Sequence, residues 1–100
     1  MTVLFWLVGL SFAGGSASLD EANTLYANGD YSEASQGYSE LLQAGHRSGD
    51  VYYNLGNALY REGRLGHAVL AWEIALQLKP RDGDAKANVR MARELGGDSE

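Results

Sequence analysis

The sequence contains no cysteine, a single proline and no cluster of basic residues. Without cysteine, disulfides and thiolate metal sites are excluded, and redox chemistry says nothing about compartment. With one proline, long stretches are free to be helical. Lys and Arg number 8 against 13 Asp and Glu, a net charge of −5. That balance provides no surface for a phosphate backbone, so no nucleic-acid partner is expected. No apolar run reaches the roughly 20 residues of a membrane-spanning helix. The acids are also unevenly placed. Residues 1–48 hold Asp20, Glu21, Asp30, Glu33 and Glu40 against Arg47 alone, whereas residues 49–82 are balanced. Solvated helix faces are the plain meaning of such a pattern.

What is present is ordinary globular composition, 45% hydrophobic and 21% charged over 100 residues, enough for one domain. The opening stretch MTVLFWLVGLSFAGGSAS carries no charged side chain. Val3 to Ala13 has the length of a secretory h-region, and the small residues Ala13 to Ser18 suit a signal-peptidase cut, although Lys and Arg are missing before it. Residues 1–18 are therefore expected to be a signal peptide or, if uncleaved, an N-terminal anchor. Export to the periplasm or envelope, with membrane proximity, follows from either.

Sliding the chain by 34 residues pairs Ala22 with Gly56, Asn23 with Asn57, Tyr26 with Tyr60, Gly29 with Gly63, Tyr31 with Leu65, Ala34 with Ala68, Tyr38 with Trp72 and Leu42 with Leu76. A fixed offset without a gap marks tandem units, here about 15–48 and 49–82. Each reads as two helices. Val51, Leu55, Ala58 and Leu59 share one face of the third helix, and Leu65, Ala68, Val69, Trp72, Ala75 and Leu76 form the stripe of the fourth. Tyr31, Ala34, Tyr38, Leu41 and Leu42 repeat that stripe in the first unit, whose first helix, about 19–27, is short. Gly29, Gly45 and Gly63 are placed to stop helices. Asp30 with Glu33 predicts a capping box, and Pro80 closes the fourth helix. Asp82 would then cap a fifth helix, about 83–95, with Ala85, Val89, Ala92 and Leu95 inward and Gly96-Gly97 ending it. Gly56, in mid-helix, costs about 1 kcal/mol relative to Ala. Close approach of Ala68 on the partner helix would account for it, with Ala22 and Ala34 making the matching contact.

These residues resemble the tetratricopeptide repeat (TPR). Tyr52, Leu55, Gly56, Leu59, Ala68, Trp72, Ala75 and Pro80 fall on its signature positions, joined by Gly63. In the first unit Gly29, Tyr31, Ala34 and Tyr38 fit, while the early positions of its first helix fall in the signal region. The resemblance covers residues 19–95, with 96–100 as a tail. It implies an all-α fold of antiparallel helix hairpins, an α-solenoid of two repeats plus a C-terminal capping helix. The stretches ANTLYANGDYSEASQGYSELLQAG and YYNLGNALYREGRLGHAVLAWEIALQLKPRDGDAKANVRMAR look more particularly like the exported TPR segment of bacterial aerotolerance-operon (Bat) proteins. In those, further domains and membrane helices follow. This chain is then either a fragment or a short stand-alone relative.

The resemblance implies binding of a protein or peptide segment on the concave surface lined by the first helix of each repeat. Here that surface would show Asp20, Asn23, Tyr53, Asn54, Asn57, Tyr60, Arg61, Asn88 and Met91. Asn amides both donate and accept, so they can pair with a backbone whatever its side chains. Against this, Asn23 or Asn57 can equally bridge neighbouring helices. Chaperone-binding TPR domains grip a carboxylate with two Asn and three cations. Asn23 and Asn54 match, but Leu19, Asp84 and Asn88 stand at the cation positions.

Reactive constellations are otherwise missing. His46 and His67 are isolated, without metal-ligand spacing, and no phosphate-binding glycine loop occurs. No metal, cofactor, small-molecule substrate or enzymatic activity is expected. The function class expected is a protein-interaction module, a scaffold in a bacterial envelope complex. The alternative is a structural homo-oligomer stacking through its terminal repeat faces, because two units and a cap bury little core by themselves.

Overall fold

The computed structural model describes residues 18–96. All but Ser18 of the expected signal or anchor segment, and residues 97–100 of the tail, lie outside the described residues. Five α-helices follow in order: α1 (Leu19–Ala27), α2 (Tyr31–Gln43), α3 (Gly49–Arg61), α4 (Leu65–Leu78) and α5 (Gly83–Glu94). Among the described residues there is no strand. The fold is a helical-repeat solenoid. Two hairpins, α1–α2 and α3–α4, stack through α2 against α3, and α5 closes the array against α4.

Local chemistry sets the helix ends. Ser18, Ser48 and Asp82 each accept from a backbone N–H three residues on, at 3.1 Å, and start α1, α3 and α5. Gly29, Gly45 and Gly63 all have φ between 86° and 99°. Beyond each, the chain donates back twice, as in Asp30 N–H to Leu25 O at 2.9 Å and Gly29 N–H to Tyr26 O at 3.0 Å. This double bond satisfies carbonyls that a helix end leaves open. Lys79 leaves the helical region ahead of Pro80, so α4 ends at Leu78.

The expected capping box at Asp30 is corrected by the same bonds. Asp30 makes no side-chain cap hydrogen bond. Its N–H, which Glu33 would have to reach, is already donated to Leu25. One residue closes α1 and opens α2, and its ψ of 67° is far from the extended values of Ser18 and Ser48.

The core is two clusters of small and aromatic residues. Ala22, Ala34, Tyr38, Leu41, Val51 and Ala58 form one. Leu59, Ala68, Ala71, Trp72 and Ala92 form the other, and half-buried Leu55 packs against both. Trp72 and Tyr38 are the largest fully buried side chains. Aromatic burial of about 150–250 Å² is worth roughly 4–6 kcal/mol each as an upper bound.

The close approach at Gly56 differs from the expected one. A Cβ on Gly56 would meet the indole of Trp72, not Ala68. In the first hairpin the glycine has moved to the opposite helix: a Cβ on Gly37 would stand 3.2 Å from Cβ of Ala22, which shares a core cluster with Ala34. The larger ring needs the bare residue in front of it. Where Tyr38 replaces Trp72, Ala22 is accommodated in the same cluster.

In α5, Ala85 and Ala92 are buried and Val89 is half-buried. Leu95 is not inward. It is 61% exposed, because α5 stops at Glu94 and the chain turns away at Gly96, φ 138°. Arg93 pairs with Glu73 of α4. Exposed Arg90 stands 34 residues after Gly56, at the position that in α3 faces Trp72 of the same hairpin.

Candidate concave interface

Two hydrogen-bonded links run across the first helices of successive hairpins. In the first, the Tyr38 hydroxyl donates to Oδ1 of Asn23 at 2.5 Å, and Nδ2 of Asn54 donates to the same oxygen at 3.3 Å. In the second, Nε1 of Trp72 donates to Oδ1 of Asn57 at 3.1 Å, and Nδ2 of Asn88 donates to that oxygen at 3.3 Å. Each residue of the second link lies 34 positions beyond its counterpart in the first. Trp72 Nε1 also bonds the Tyr53 carbonyl at 3.2 Å.

The indole N–H can only donate, which fixes the orientation of the second link. Asn57 must turn its oxygen to Trp72, and Asn88 must then approach that oxygen with its amide nitrogen. The outer atoms follow: Nδ2 of Asn57 and Oδ1 of Asn88 face away from the link. Nδ2 of Asn23 and Oδ1 of Asn54 repeat the arrangement. Among the described residues none of these four atoms has a partner. Each link therefore presents one donor and one acceptor side by side, the pattern of a peptide unit in reverse.

A small pocket of about 260 Å³ opens between α1 and α3, lined by Asn23, Tyr26, Tyr38, Asn54 and Asn57. Burial pushes the Tyr38 phenol above the usual tyrosine range, with Tyr26 adding in the same direction. At the far end of α3 an exposed ion pair joins Lys79 to Asp50 at 2.9 Å. The hydrogen bond to Asp50, reinforced by its charge, holds the Lys79 ammonium above the ordinary lysine range.

Of the residues expected on this surface, the structure brings Asn23, Asn54, Asn57 and Asn88 together. The carbonyls of Asn23 and Asn57 are used in bridging, the simpler of the two roles open to them. Tyr60 packs on Trp72, ring centroids 5.9 Å apart. Arg61 lies over the Tyr31 ring, 4.5 Å from its centroid, and Tyr31 stacks edgewise on Tyr26. Arg61 thus ties the two hairpins together instead of joining the asparagines, as does Glu62, which accepts from Ser35 at 2.9 Å. Tyr53 is half-buried, Asp20 is exposed, and Met91 occupies the position equivalent to Asn57. Tyr26 and Tyr38 were missed as pocket residues. Their signal was the 34-residue pairing itself, which set Tyr38 opposite Trp72.

Residues 49–82 match the tetratricopeptide repeat family. The match supports a TPR protein and coincides with the α3–α4 hairpin and the turn into α5. TPR repeats generally mediate protein–protein interaction and are non-catalytic. The first hairpin is the less regular: α1 has 9 residues against 13 in α3, about one turn fewer. No curated protein matches the chain. Among the described residues no group of His, Asp and Glu could hold a metal ion, and no helix is long and apolar enough to cross a membrane.

Proposed function

We propose that the chain is a non-catalytic module that binds an extended segment of another protein along the concave face of α1, α3 and α5. The observation that carries this reading is the pair of asparagine links, each with an outward amide donor and acceptor. A backbone in extended conformation offers both groups at every residue, so the links would grip it without regard to side chains. Interaxial distances of about 8–10 Å between packed helices correspond to roughly three residues of extended chain. Successive links would then engage the backbone at such an interval.

The setting we propose is an exported scaffold in a bacterial envelope complex, in the manner of the Bat-type segments. Support comes from the apolar run Val3 to Ala13 followed by small residues. Expressed in a bacterium, the chain should be recovered from the periplasmic fraction beginning near Leu19, or from the membrane with residues 1–18 intact. Recovery only from the cytoplasm would remove this setting. Stacking through the terminal face of α5 would have to proceed without a further asparagine link, because Met91 occupies the position equivalent to Asn57.

Asn54→Ala with Asn88→Ala tests the groove. Both side chains contribute only a 3.3 Å amide contact, so helicity should persist. Capture of partners from an envelope extract should be lost. An unchanged set of captured proteins would overturn the groove reading.

A further inference from the structure

The groove carries two slots that are counterparts across the 34-residue offset. One lies where α1 and α3 meet the chain linking α2 to α3, with Leu19, Leu41, Gly45, Arg47 and Val51 in its lining. The other lies one hairpin on, with Asp50, Tyr53, Lys79, Arg81, Asp82 and Asp84 in its lining. Both measure about 590 Å³ and are open to solvent. Leu19 precedes Asn23 by four residues, and Tyr53 precedes Asn57 by four. Each slot therefore sits one helical turn from an asparagine link, on the same helix face.

One difference lies at the equivalent positions Gly45 and Lys79. In the second slot the methylenes of Lys79 lie against Gly49, where a Cβ would stand 2.7 Å from them, and the ammonium is bonded to Asp50. Three carboxylates line the walls of this slot together with Arg81, the counterpart of Arg47 at the 34-residue offset. In the first slot Gly45, φ 99°, puts nothing over the floor. Leu41 and Val51 reach the slot surface there, and Leu19 stands beside them 37% exposed. The fixed charge at this rim is a cation, Arg47, whose guanidinium leans on Tyr52 at 5.6 Å from the ring centroid and makes one 3.5 Å contact with its hydroxyl.

We propose that the first slot is the specificity pocket of the groove. It takes an aliphatic side chain of the bound segment, with a neighbouring acidic residue meeting Arg47. This rests on the groove binding a peptide. The partner is thus a protein segment read twice: sequence-blind at the asparagine links, and for one aliphatic–acidic pair at the slot.

Phage-displayed random peptides selected on the immobilised full chain, then titrated by fluorescence anisotropy, test it. Selected peptides should share an aliphatic residue beside Asp or Glu. Leu19→Asp puts a carboxylate at the slot mouth yet suits the first turn of a helix, so α1 should survive, as circular dichroism will report. Affinity for a selected peptide should fall about 10- to 100-fold, and replacing the peptide's aliphatic residue by Ala should cost as much without adding to the loss. Arg47→Glu reverses the charge at the rim and should replace the selected acidic residue by Lys or Arg. That variant decides the matter if Leu19→Asp loses helicity. Peptides with no shared aliphatic position overturn the proposal while leaving the groove reading intact. That pattern would also arise if residues before Ser18 or a second copy filled the slot. Peptides whose binding ignores both variants overturn it in the same way. If no peptide binds, the groove reading falls and this inference falls with it.

Discussion

The indole of Trp72 fills the space into which Gly56 would project a side chain: a Cβ there would stand 2.5 Å from Cδ1, 2.9 Å from Cε2 and closer still to Nε1. The ring cannot retreat, being 1% exposed and held by two hydrogen bonds. Helix propensity alone would favour Gly56→Ala by about 1 kcal/mol. Overpacking a rigid site costs about 1–3 kcal/mol and should win. Gly66, on α4 with nothing within 4 Å, is the control, and Gly66→Ala should stabilise by about 0.4–1 kcal/mol. Thermal unfolding of both variants checks the sign. A Gly56→Ala protein that melts no lower than the parent would refute the close packing.

Trp72→Phe tests the same contact from the other side. It removes the donor to Tyr53 and Asn57 and leaves a gap, a loss of about 1–3 kcal/mol from the unpaired acceptors alone. In a Gly56→Ala background the smaller ring relieves the clash, so the two changes should be less than additive by about 0.5–3 kcal/mol. Urea titrations of the four proteins give that coupling. Strict additivity would mean the two residues do not press on each other.

The asparagines should separate by role. Asn57→Ala removes an acceptor shared by Trp72 and Asn88 and should destabilise by about 1–2 kcal/mol. Asn54→Ala, which loses one 3.3 Å contact, should stay within about 0.5 kcal/mol while weakening partner capture. Equal losses of stability in the two variants would contradict this division.

Alkaline pH should act through Tyr38. Its phenol titrates higher in the folded protein than the ordinary value near 10, because the ring is buried. A group whose folded pKa is raised contributes stability that is complete below the unfolded pKa and fades as pH climbs through the folded one. Stability should therefore decline above about pH 10. Tyr38→Phe, though less stable at neutral pH for want of the Asn23 bond, should show a shallower decline. Equilibrium unfolding at neutral and at alkaline pH compares the slopes, and identical slopes would assign the effect elsewhere.

Much of the hairpin architecture was legible because it is written in local physics. Helix stripes follow a 3.6-residue period, Gly29, Gly45 and Gly63 supply the positive φ that a helix stop requires, and Asp82 presents a side-chain acceptor to an open backbone donor, whereas the caps at Ser18 and Ser48 were not read. The asparagines of the groove were placed on one surface by the resemblance to the repeat family. Leu95 and Asp30 were misread where the sequence pattern ran past a boundary: one lies beyond the end of α5, and the other is shared between two helices.

The sequence by itself determined the repeat, the helix stops and the face on which each side chain stands, since these depend on residues a few positions apart. Tertiary structure alone decided that Gly56 meets Trp72 rather than Ala68, that Gly37 takes its part against Ala22, and that Arg61 goes to Tyr31. It also decided which asparagine atoms are used in bridging and which face outward. A shift of one turn between packed helices leaves every sequence spacing unchanged yet gives each small residue a different neighbour, so only the packed arrangement fixes these pairs.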